Sequence, residues 1–322
     1  MDNALAPVAL FVYNRLDNTR ATLQHLVANT LAPDTDLYIF ADGGKDPQSW
    51  AQVNAVRDYL REFADQAHRN GWLQSVTLVE RPTNYYLERN IIEGIDHVLR
   101  HHDRIIVLED DICTAPHFLA YMNEAFALYV DHPKVMHITG FTHLDLLADH
   151  PELVPEGNET YFTRHAGGWG WGTWRDRWQQ FVHYATRDEA LAGLTSADLD
   201  RIEYGSAFPA LHSLDRSPIP WDICWELAVY RARGLALAPA HTLVRNIGLT
   251  QGTHFGRAHS WLQRFSYDRP PLDRPLAIAA AHPVADERIE ALFAEAITDW
   301  GIRYTLLGRI VRRIYRWLRP RK

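Results

Sequence analysis

The chain has 322 residues, of which 47% are hydrophobic and 23% are charged, so a disordered or fibrous protein is excluded. The formal net charge of −7 argues against a nucleic-acid partner, because basic side chains that contact phosphates supply most of that affinity. The two cysteines, and the absence of a signal-peptide pattern or a long apolar run, predict a cytoplasmic protein without a spanning helix.

The first 110 residues alternate short apolar runs with amphipathic segments. Strands are predicted at residues 8–13, 37–41, 76–79 and 105–108. Asp17 and Ser49 are predicted to cap the first two intervening helices, and residues 87–99 are predicted to form the third. This alternation predicts an α/β fold, with a mostly parallel sheet flanked by helices and with ligands at the carboxyl ends of its strands.

The pattern changes after residue 115. A helix from Pro116, a strand at residues 135–139 and a helix around residues 225–233 are predicted. Residues 269–283 contain four prolines and predict a linker, which leads to a helix near residues 286–300. We therefore expect a main domain at residues 1–265 and an extension of C-terminal helices at residues 266–322.

Three consecutive carboxylates, Glu109, Asp110 and Asp111, follow the fourth predicted strand. Carboxylates crowded beside a buried strand repel one another and lose hydration, so a compensating cation is expected. Mg²⁺ or Mn²⁺ suits such oxygen ligands and commonly bridges to substrate phosphates. The alternative is a solvated acidic turn in which Asp111 caps the next helix.

Residues 167–178 contain four tryptophans and four glycines. Glycines allow a backbone to approach a ligand, and flat indole faces suit sugar rings. Trp169 and Trp171 are therefore candidate ligand contacts. The alternative is an aromatic cluster that fills the core.

Two further residues are candidates for the chemistry of a site. Asp222 lies between Trp221 and Trp225, where apolar neighbours favour a general base with a raised pKa, although aspartate is also a favoured N-cap. His254 lies in a glycine-containing loop, and it either completes a metal site or is solvated.

Taken in order, six segments of the chain resemble a known family of enzymes. They are PVALFVYNR, LYIFADG, RNIIEGI, RIIVLEDDICTAPHFLAYMNEA, GGWGWGTWRDRW and LVRNIGLTQGTHF. The series covers roughly residues 6–256 and resembles bacterial nucleotide-sugar-dependent glycosyltransferases of the GT-A fold, family 2-like. It is also distantly similar to eukaryotic N-acetylglucosaminyltransferase I.

The resemblance implies which residues bind the donor nucleotide. Arg15 would lie against the nucleotide and its phosphates, Asp42 would hydrogen-bond the base, and Asn84 is a second candidate on the same side. Asp110 would face the ribose, with Glu109 beside it.

The resemblance also implies the catalytic groups. Asp111 would ligate the metal that bridges the diphosphate, with His254 as a second candidate ligand. The general base would be Asp222, or Glu226 one helical turn later.

The activity implied is a metal-dependent, inverting transfer of sugar from a nucleoside-diphosphate sugar to a glycan or lipid-linked acceptor in surface polysaccharide synthesis. The donor expected first is a UDP-sugar. Two alternatives remain open. A sugar nucleotidyltransferase would share the sheet and the acidic motif, yet the loop at Asn14 and Arg15 lacks the glycines such an enzyme needs for a triphosphate. A non-catalytic glycan-binding module would explain the tryptophans but not the three carboxylates.

The last 22 residues, 301–322, carry eight basic side chains and no acidic one. Apolar residues at helical spacing alternate there with arginines, and Trp317 lies near the end. This pattern predicts a basic amphipathic helix on an anionic membrane surface, at the inner face of the cell membrane. The alternative is a terminal helix that packs on the domain with a solvated basic face.

Overall fold

Short strands alternate with helices through the first 110 residues, as the sequence predicts. The computed structural model describes residues 4–205, 207, 208, 210–248 and 269–303, with side chains described through Ile297. The strands are β1 (Val8–Val12), β2 (Asp36–Ala41), β3 (Ser75–Glu80), β4 (Arg104–Glu109), β5 (Ile112–Thr114), β6 (Val135–Thr139), β7 (Thr160–Thr163), β8 (Trp171–Trp174), β9 (Leu235–Pro239) and β10 (Val244–Asn246). The helices are α1 (Leu16–Val27), α2 (Pro47–Asn70), α3 (Tyr86–Leu99), α4 (Phe118–Tyr129), α5 (Leu146–Asp149), α6 (Arg175–Trp178), α7 (Arg187–Leu191), α8 (Ser196–Ile202), α9 (Trp221–Arg231) and α10 (Glu287–Arg303).

Eight strands form one mixed sheet in the order β3-β2-β1-β4-β8-β6-β9-β7. The strands β3, β2, β1 and β4 pair in parallel with one another. The strand β8 runs antiparallel to its neighbours β4 and β6, and β7 runs antiparallel to β9. The predicted α/β fold with a mostly parallel sheet is therefore confirmed. The strands β5 and β10 pair with each other outside this sheet.

Among the parallel strands β1 to β4, the order reverses between β1 and β4. The chain steps outward from β1 to β2 and β3, and then returns to place β4 on the other side of β1. In open α/β sheets, ligands bind in the crevice outside the carboxyl ends of the strands at such a reversal. Arg15 follows β1 and residues 109–111 follow or end β4, so both lie at this crevice.

Helices cover both faces of the sheet because its strands are apolar on both sides. All five residues of β1 are buried, as expected for a central parallel strand. The helices α1, α2 and α4 contribute to the core on one face, and α3 and α9 contribute to the core on the other. None of the described helices is both long and apolar enough to cross a membrane.

The proline-rich segment predicted as a linker instead packs on the main body of the protein. The Leu272 N–H donates to the carbonyl of Thr242 at 2.9 Å, and Leu276 is buried in the core. Phe293 and Ile297 of α10 are buried in a third apolar cluster against β7 and β9. The domain boundary expected at residue 265 lies outside the described residues.

Two predicted helix caps are wrong. The first helix begins at Leu16, with Arg15 rather than Asp17 at its N-cap, and no side chain caps it. The second helix is capped by Asp46, whose Oδ1 accepts from the Ser49 N–H at 2.7 Å. Proline at the first helical turn sets the helix start there, so Ser49 becomes the second half of a capping box.

Candidate active site at the carboxyl edge of the sheet

The acidic turn, defined as Glu109, Asp110 and Asp111, contacts a cationic side chain of the protein itself, that of Arg15. The Arg15 guanidinium contacts Asp110 through Nη2 and Nε, and its Nη1 lies 3.0 Å from Asp111 Oδ2. Asp110 is only 3% exposed, so this pairing offsets much of the cost of burying its charge. Because Arg15 and the turn follow neighbouring parallel strands, the sheet brings them together from 95 residues apart.

One guanidinium does not balance the negative charge at this point. Burial and the nearby charges of Asp111 and Asp110 raise the pKa of Glu109 to about 8. Burial also raises the pKa of Asp110 to about 6, against the opposing effect of Arg15. The charge of Asp222 contributes to the raised pKa of Glu109, so Asp222 lies in the neighbourhood of the acidic turn.

The loop after β10 lies directly against Asp111. The Ile247 N–H donates to the Asp111 carbonyl at 2.8 Å, and a Cβ on Gly248 would collide with the Asp111 carboxylate. The glycine is therefore required for the backbone to approach the acidic turn this closely. His254, which the sequence suggested as a metal ligand, lies outside the described residues.

The acidic turn suits a divalent cation only in part. In the stretches of chain that the structure describes, no group of three or more His, Cys, Asp or Glu side chains is arranged to hold a metal ion. Mg²⁺ is commonly held by one or two carboxylates with substrate phosphates as further ligands, and Asp111 offers such oxygens. Arg15 contacts both aspartates, but the Asp111 side chain is 14% exposed against 4% for Asp110, so Asp111 is the more accessible to a metal that also contacts a diphosphate.

Asp42 and Asn84, predicted separately, meet at the ends of β2 and β3. Asp42 Oδ1 accepts from the N–H groups of Gly43 at 2.8 Å and Tyr85 at 2.7 Å, and Asn84 Nδ2 donates to the Gly43 carbonyl at 2.6 Å. Asp42 is 5% exposed. In this structure Asp42 holds the turn at residues 84–86 and does not face solvent as a ligand group would.

Tyr86, at the end of this turn, is a residue that sequence reasoning missed. Its φ is 58°, in the left-handed region that bulky residues avoid at a cost of about 1–3 kcal/mol. Its side chain is 63% exposed. No sequence signal announces a left-handed tyrosine, because glycine and asparagine are the residues that usually mark this conformation.

Asp222 lies in the first turn of α9 and is exposed. The N-cap of that helix is Pro220, so the alternative reading of Asp222 as the cap is wrong. Its Oδ1 accepts from the Ile223 N–H at 2.8 Å. The protein around the carboxylate reduces its hydration and raises its pKa, although solvent still reaches the residue. This combination is typical of a carboxylate on the wall of a crevice.

Glu226 is placed differently. It is 7% exposed, and its Oε2 accepts from the Ala166 N–H at 2.8 Å and lies 3.4 Å from His165 Nδ1. These contacts hold the segment that leads to β8. Glu226 is therefore buried in a structural contact, whereas Asp222 is exposed.

The tryptophan stretch divides into one partly exposed residue and a buried cluster. Trp171 is 0% exposed, and its ring stacks on His137 at 5.1 Å and on Trp221 at 5.3 Å between centroids. Trp171 fills the core, so the prediction that it contacts a ligand is wrong. Trp169 is half-buried and packs against Phe141 at 4.5 Å between centroids.

No protein-family model matches the chain, and no curated protein matches its sequence. Among solved structures, the chain is similar to the mannosyltransferase PcManGT from Pyrobaculum calidifontis, in complex with GDP-Man and Mn²⁺. The TM-score is 0.40 and the identity is 14%, over 94% of this chain and 88% of that chain.

Proposed function

We propose that this protein is a metal-dependent glycosyltransferase, which moves a sugar from a nucleoside-diphosphate sugar to a hydroxyl of a glycan or lipid-linked acceptor. One observation carries the proposal. The exposed carboxylate of Asp222 lies near enough to the acidic turn for its charge to raise the pKa of Glu109, and the turn follows β4 beside the point where the strand order reverses. A base close to an acidic group that can hold a metal and phosphates suits a displacement between two bound substrates.

Asp222 is the base in this proposal. It would accept the proton of the acceptor hydroxyl as the oxygen attacks the anomeric carbon and the bond to the diphosphate breaks. A carboxylate with a raised pKa is a stronger base than an ordinary aspartate, because burial around it favours the protonated form. Attack on the side opposite the leaving group inverts the anomeric centre, and inversion is part of the proposal.

Asp111 would hold the divalent metal, Mn²⁺ or Mg²⁺, together with oxygens of the donor diphosphate. The bound metal would supply charge neutralisation to the departing nucleoside diphosphate. Arg15 lies between both aspartates and the crevice, so its guanidinium is placed to turn from Asp111 toward a phosphate. Asp110 would remain paired with Arg15 near the ribose.

The structure disfavours the two alternative functions. Trp171, Trp174 and Trp178 are 0%, 2% and 5% exposed, so the tryptophan stretch does not form the open aromatic platform of a glycan-binding module. The loop after β1 holds Arg15 against carboxylates and contains no glycine, which is unsuited to cradling a triphosphate.

Donor-dependent release of nucleoside diphosphate tests the proposal. The full chain is incubated with UDP-sugars, GDP-sugars and a glycan acceptor mixture, with Mn²⁺ or with EDTA. We expect release with one donor, only with metal, and its loss in Asp111→Asn, while Asp65→Asn on the exposed side of α2 retains it. Release of pyrophosphate from a nucleoside triphosphate would instead indicate a nucleotidyltransferase. Full activity of Asp111→Asn would remove that residue from the metal site.

We further propose that residues 304–322, which lie outside the described residues, hold the enzyme on anionic membranes. Each Lys or Arg near such a surface contributes about 1 kcal/mol. Truncation after Arg303 keeps α10 and should abolish sedimentation with phosphatidylglycerol vesicles while sparing transfer to a small acceptor. Sedimentation equal to that of the full chain would refute the membrane role.

A further inference from the structure

Tyr86 carries a backbone strain that no local structure explains. Two other non-glycine residues in the described part of the chain have positive φ, Tyr204 at 50° and Arg233 at 53°. Both follow the last turn of a helix, where a left-handed residue closes the helix by a standard hydrogen-bond pattern. Tyr86 instead begins a helix, so this explanation does not apply to it.

The packing of the tyrosine ring does not explain the strain either. The side chain is 63% exposed, the largest such value among the exposed large hydrophobic residues of the described chain. A strained conformation that persists without a packing gain is typical of positions that contact a ligand. The strain is therefore more informative here than at Tyr204 or Arg233.

The turn that presents Tyr86 is fixed on both sides. Asn84 Oδ1 accepts from the Tyr86 N–H at 3.2 Å, and Asp42 accepts from the preceding N–H of Tyr85. The Tyr85 ring lies between two guanidinium groups, 3.8 Å from that of Arg89 and 4.8 Å from that of Arg81. The neighbours of Tyr86 are anchored, and its own ring is left facing solvent.

We propose that the ring of Tyr86 is the stacking surface for the nucleobase of the donor, an inference that rests on the proposed function. The turn lies at the ends of β2 and β3, whereas Asp111 follows β4. Two inter-strand spacings separate β4 from β2, about 10 Å. A nucleoside diphosphate whose phosphates lie at Asp111 and Arg15 therefore extends its base toward Tyr86.

This role differs from the one that the sequence suggested for Asp42. Asp42 Oδ1 accepts from backbone N–H groups of the turn, so Asp42 helps to position Tyr86, and its contact with the base stays a separate prediction. Stacking accepts any base, because every base has an aromatic face. Tyr86 accordingly supplies affinity for nucleotides as a class, not selectivity among them.

Glycine at position 86 provides the test, because it removes the ring and adopts positive φ without strain. The full-length variants are Tyr86→Gly, Tyr86→Phe and the control Arg233→Gly, which relieves the same backbone strain at the exposed end of α9. Binding of UDP, GDP and inorganic pyrophosphate is measured by calorimetry with Mn²⁺, and stability is measured by thermal melting.

We expect Tyr86→Gly to bind UDP and GDP about tenfold more weakly and pyrophosphate as wild type does, with a melting temperature that is unchanged or higher. Tyr86→Phe and Arg233→Gly should retain wild-type affinity for all three ligands. Unchanged nucleotide binding by Tyr86→Gly would overturn the inference, and so would an equal loss of pyrophosphate binding. Failure of the wild-type protein to bind either nucleotide would instead refute the proposed function itself.

Discussion

The protein contains two clusters of acidic side chains, and they differ in how their charges are compensated. In the described part of the chain, the three carboxylates of the acidic turn are contacted by one guanidinium, that of Arg15. Asp222 lies near enough for its charge to oppose the ionisation of Glu109 as well. The pKa of Glu109 is raised to about 8 as a result, because burial and its charged neighbours oppose its ionisation.

The second cluster, here called the α10 cluster, consists of Arg164, His165, Glu226, Glu287 and Glu290. Each of its acids has a cationic partner, and Arg164 is shared by two of them. Arg164 contacts Glu290 at 3.1 Å and Glu287 at 2.9 Å, and His165 lies 3.4 Å from Glu226. This cluster fastens α10 and the segment before β8 to the sheet. In the described part of the chain, the acids of the α10 cluster each have a cationic partner that helps to hold the fold together, whereas the acidic turn carries more carboxylates than the one guanidinium that contacts it.

The largest expected effect separates Asp222 from Glu226. Asp222→Asn should lower the rate of sugar transfer by about 10²–10⁴-fold with little change in melting temperature, because it removes an exposed base. Glu226→Gln should lower stability and leave the rate per folded molecule largely intact, because Glu226 is buried against Ala166 and His165. Nucleoside diphosphate release and thermal melts measure both effects. A larger loss of rate in a fully folded Glu226→Gln protein would transfer the role of base to Glu226.

The next largest effect is expected on substitution of Arg15, the cation that contacts the acidic turn. Arg15→Gln leaves buried Asp110 without its partner, so the metal-free protein should lose about 3 kcal/mol of unfolding free energy. The same change removes a competitor for Asp111, so Mn²⁺ should raise the melting temperature of the variant more than that of the wild type. Arg20→Gln, on the exposed side of α1, is the control. Equal shifts with Mn²⁺ in both proteins would show that Arg15 and the metal do not compete.

In the α10 cluster, Glu290 and Glu287 both contact Arg164, so their contributions to stability can be compared directly. Glu290 is 3% exposed, and Glu290→Gln should cost about 1.5–3 kcal/mol, the range for a hydrogen bond to a charged group. Glu287 makes two hydrogen bonds to Arg164 but its side chain is 74% exposed, so Glu287→Gln should cost less than about 1 kcal/mol. Urea denaturation measures both. Equal losses of unfolding free energy in the two variants would mean that burial does not determine how much each ion pair stabilises the protein.

The two halves of the chain also differ in how far the sequence predicts them. The strands up to β4 were predicted to within about one residue at each end, because each is a short apolar run bounded by polar residues. The same alternation places Arg15, Asp42 and the acidic turn at one edge of the sheet before any coordinates are known. The pairing of Arg15 with Asp110 could not be predicted, since it depends on which strands become neighbours.

The second half was predicted less well because its pattern has two physical meanings. Tryptophans beside glycines are suited to a ligand surface and to a tightly packed core, and burial alone decides between them. Trp171 is enclosed by Trp221 and by His137 of the neighbouring strand, contacts that join residues far apart in the chain. On the sequence alone Asp222 was the preferred base, with Glu226 as the alternative, and the first two turns of α9 then place Asp222 at the surface and Glu226 in the core.

The smallest expected effect is a dependence of stability on pH through the α10 cluster. Burial alone would lower the pKa of His165, but the charges of Glu226 and Glu290 outweigh it and raise the pKa above the ordinary histidine value. His143, whose ring centroid is 6.2 Å away, has its pKa lowered to about 3 by burial and by the charge of His165. His143 therefore stays neutral, and His165 is the histidine of this pair whose charge depends on its acidic neighbours.

The sign of this dependence follows from the raised pKa. Protonated His165 stabilises the folded state fully below the unfolded pKa of about 6.5, and this stabilisation is lost as the pH rises through the folded pKa. The wild-type unfolding free energy should thus fall between pH 6 and pH 8 by on the order of 1 kcal/mol more than that of His165→Gln. His68→Gln, on the exposed side of α2, should follow the wild type. Parallel curves for wild type and His165→Gln would show that Glu226 and Glu290 are stabilised without a charged histidine, and Arg164 would then be the cation on which the cluster depends.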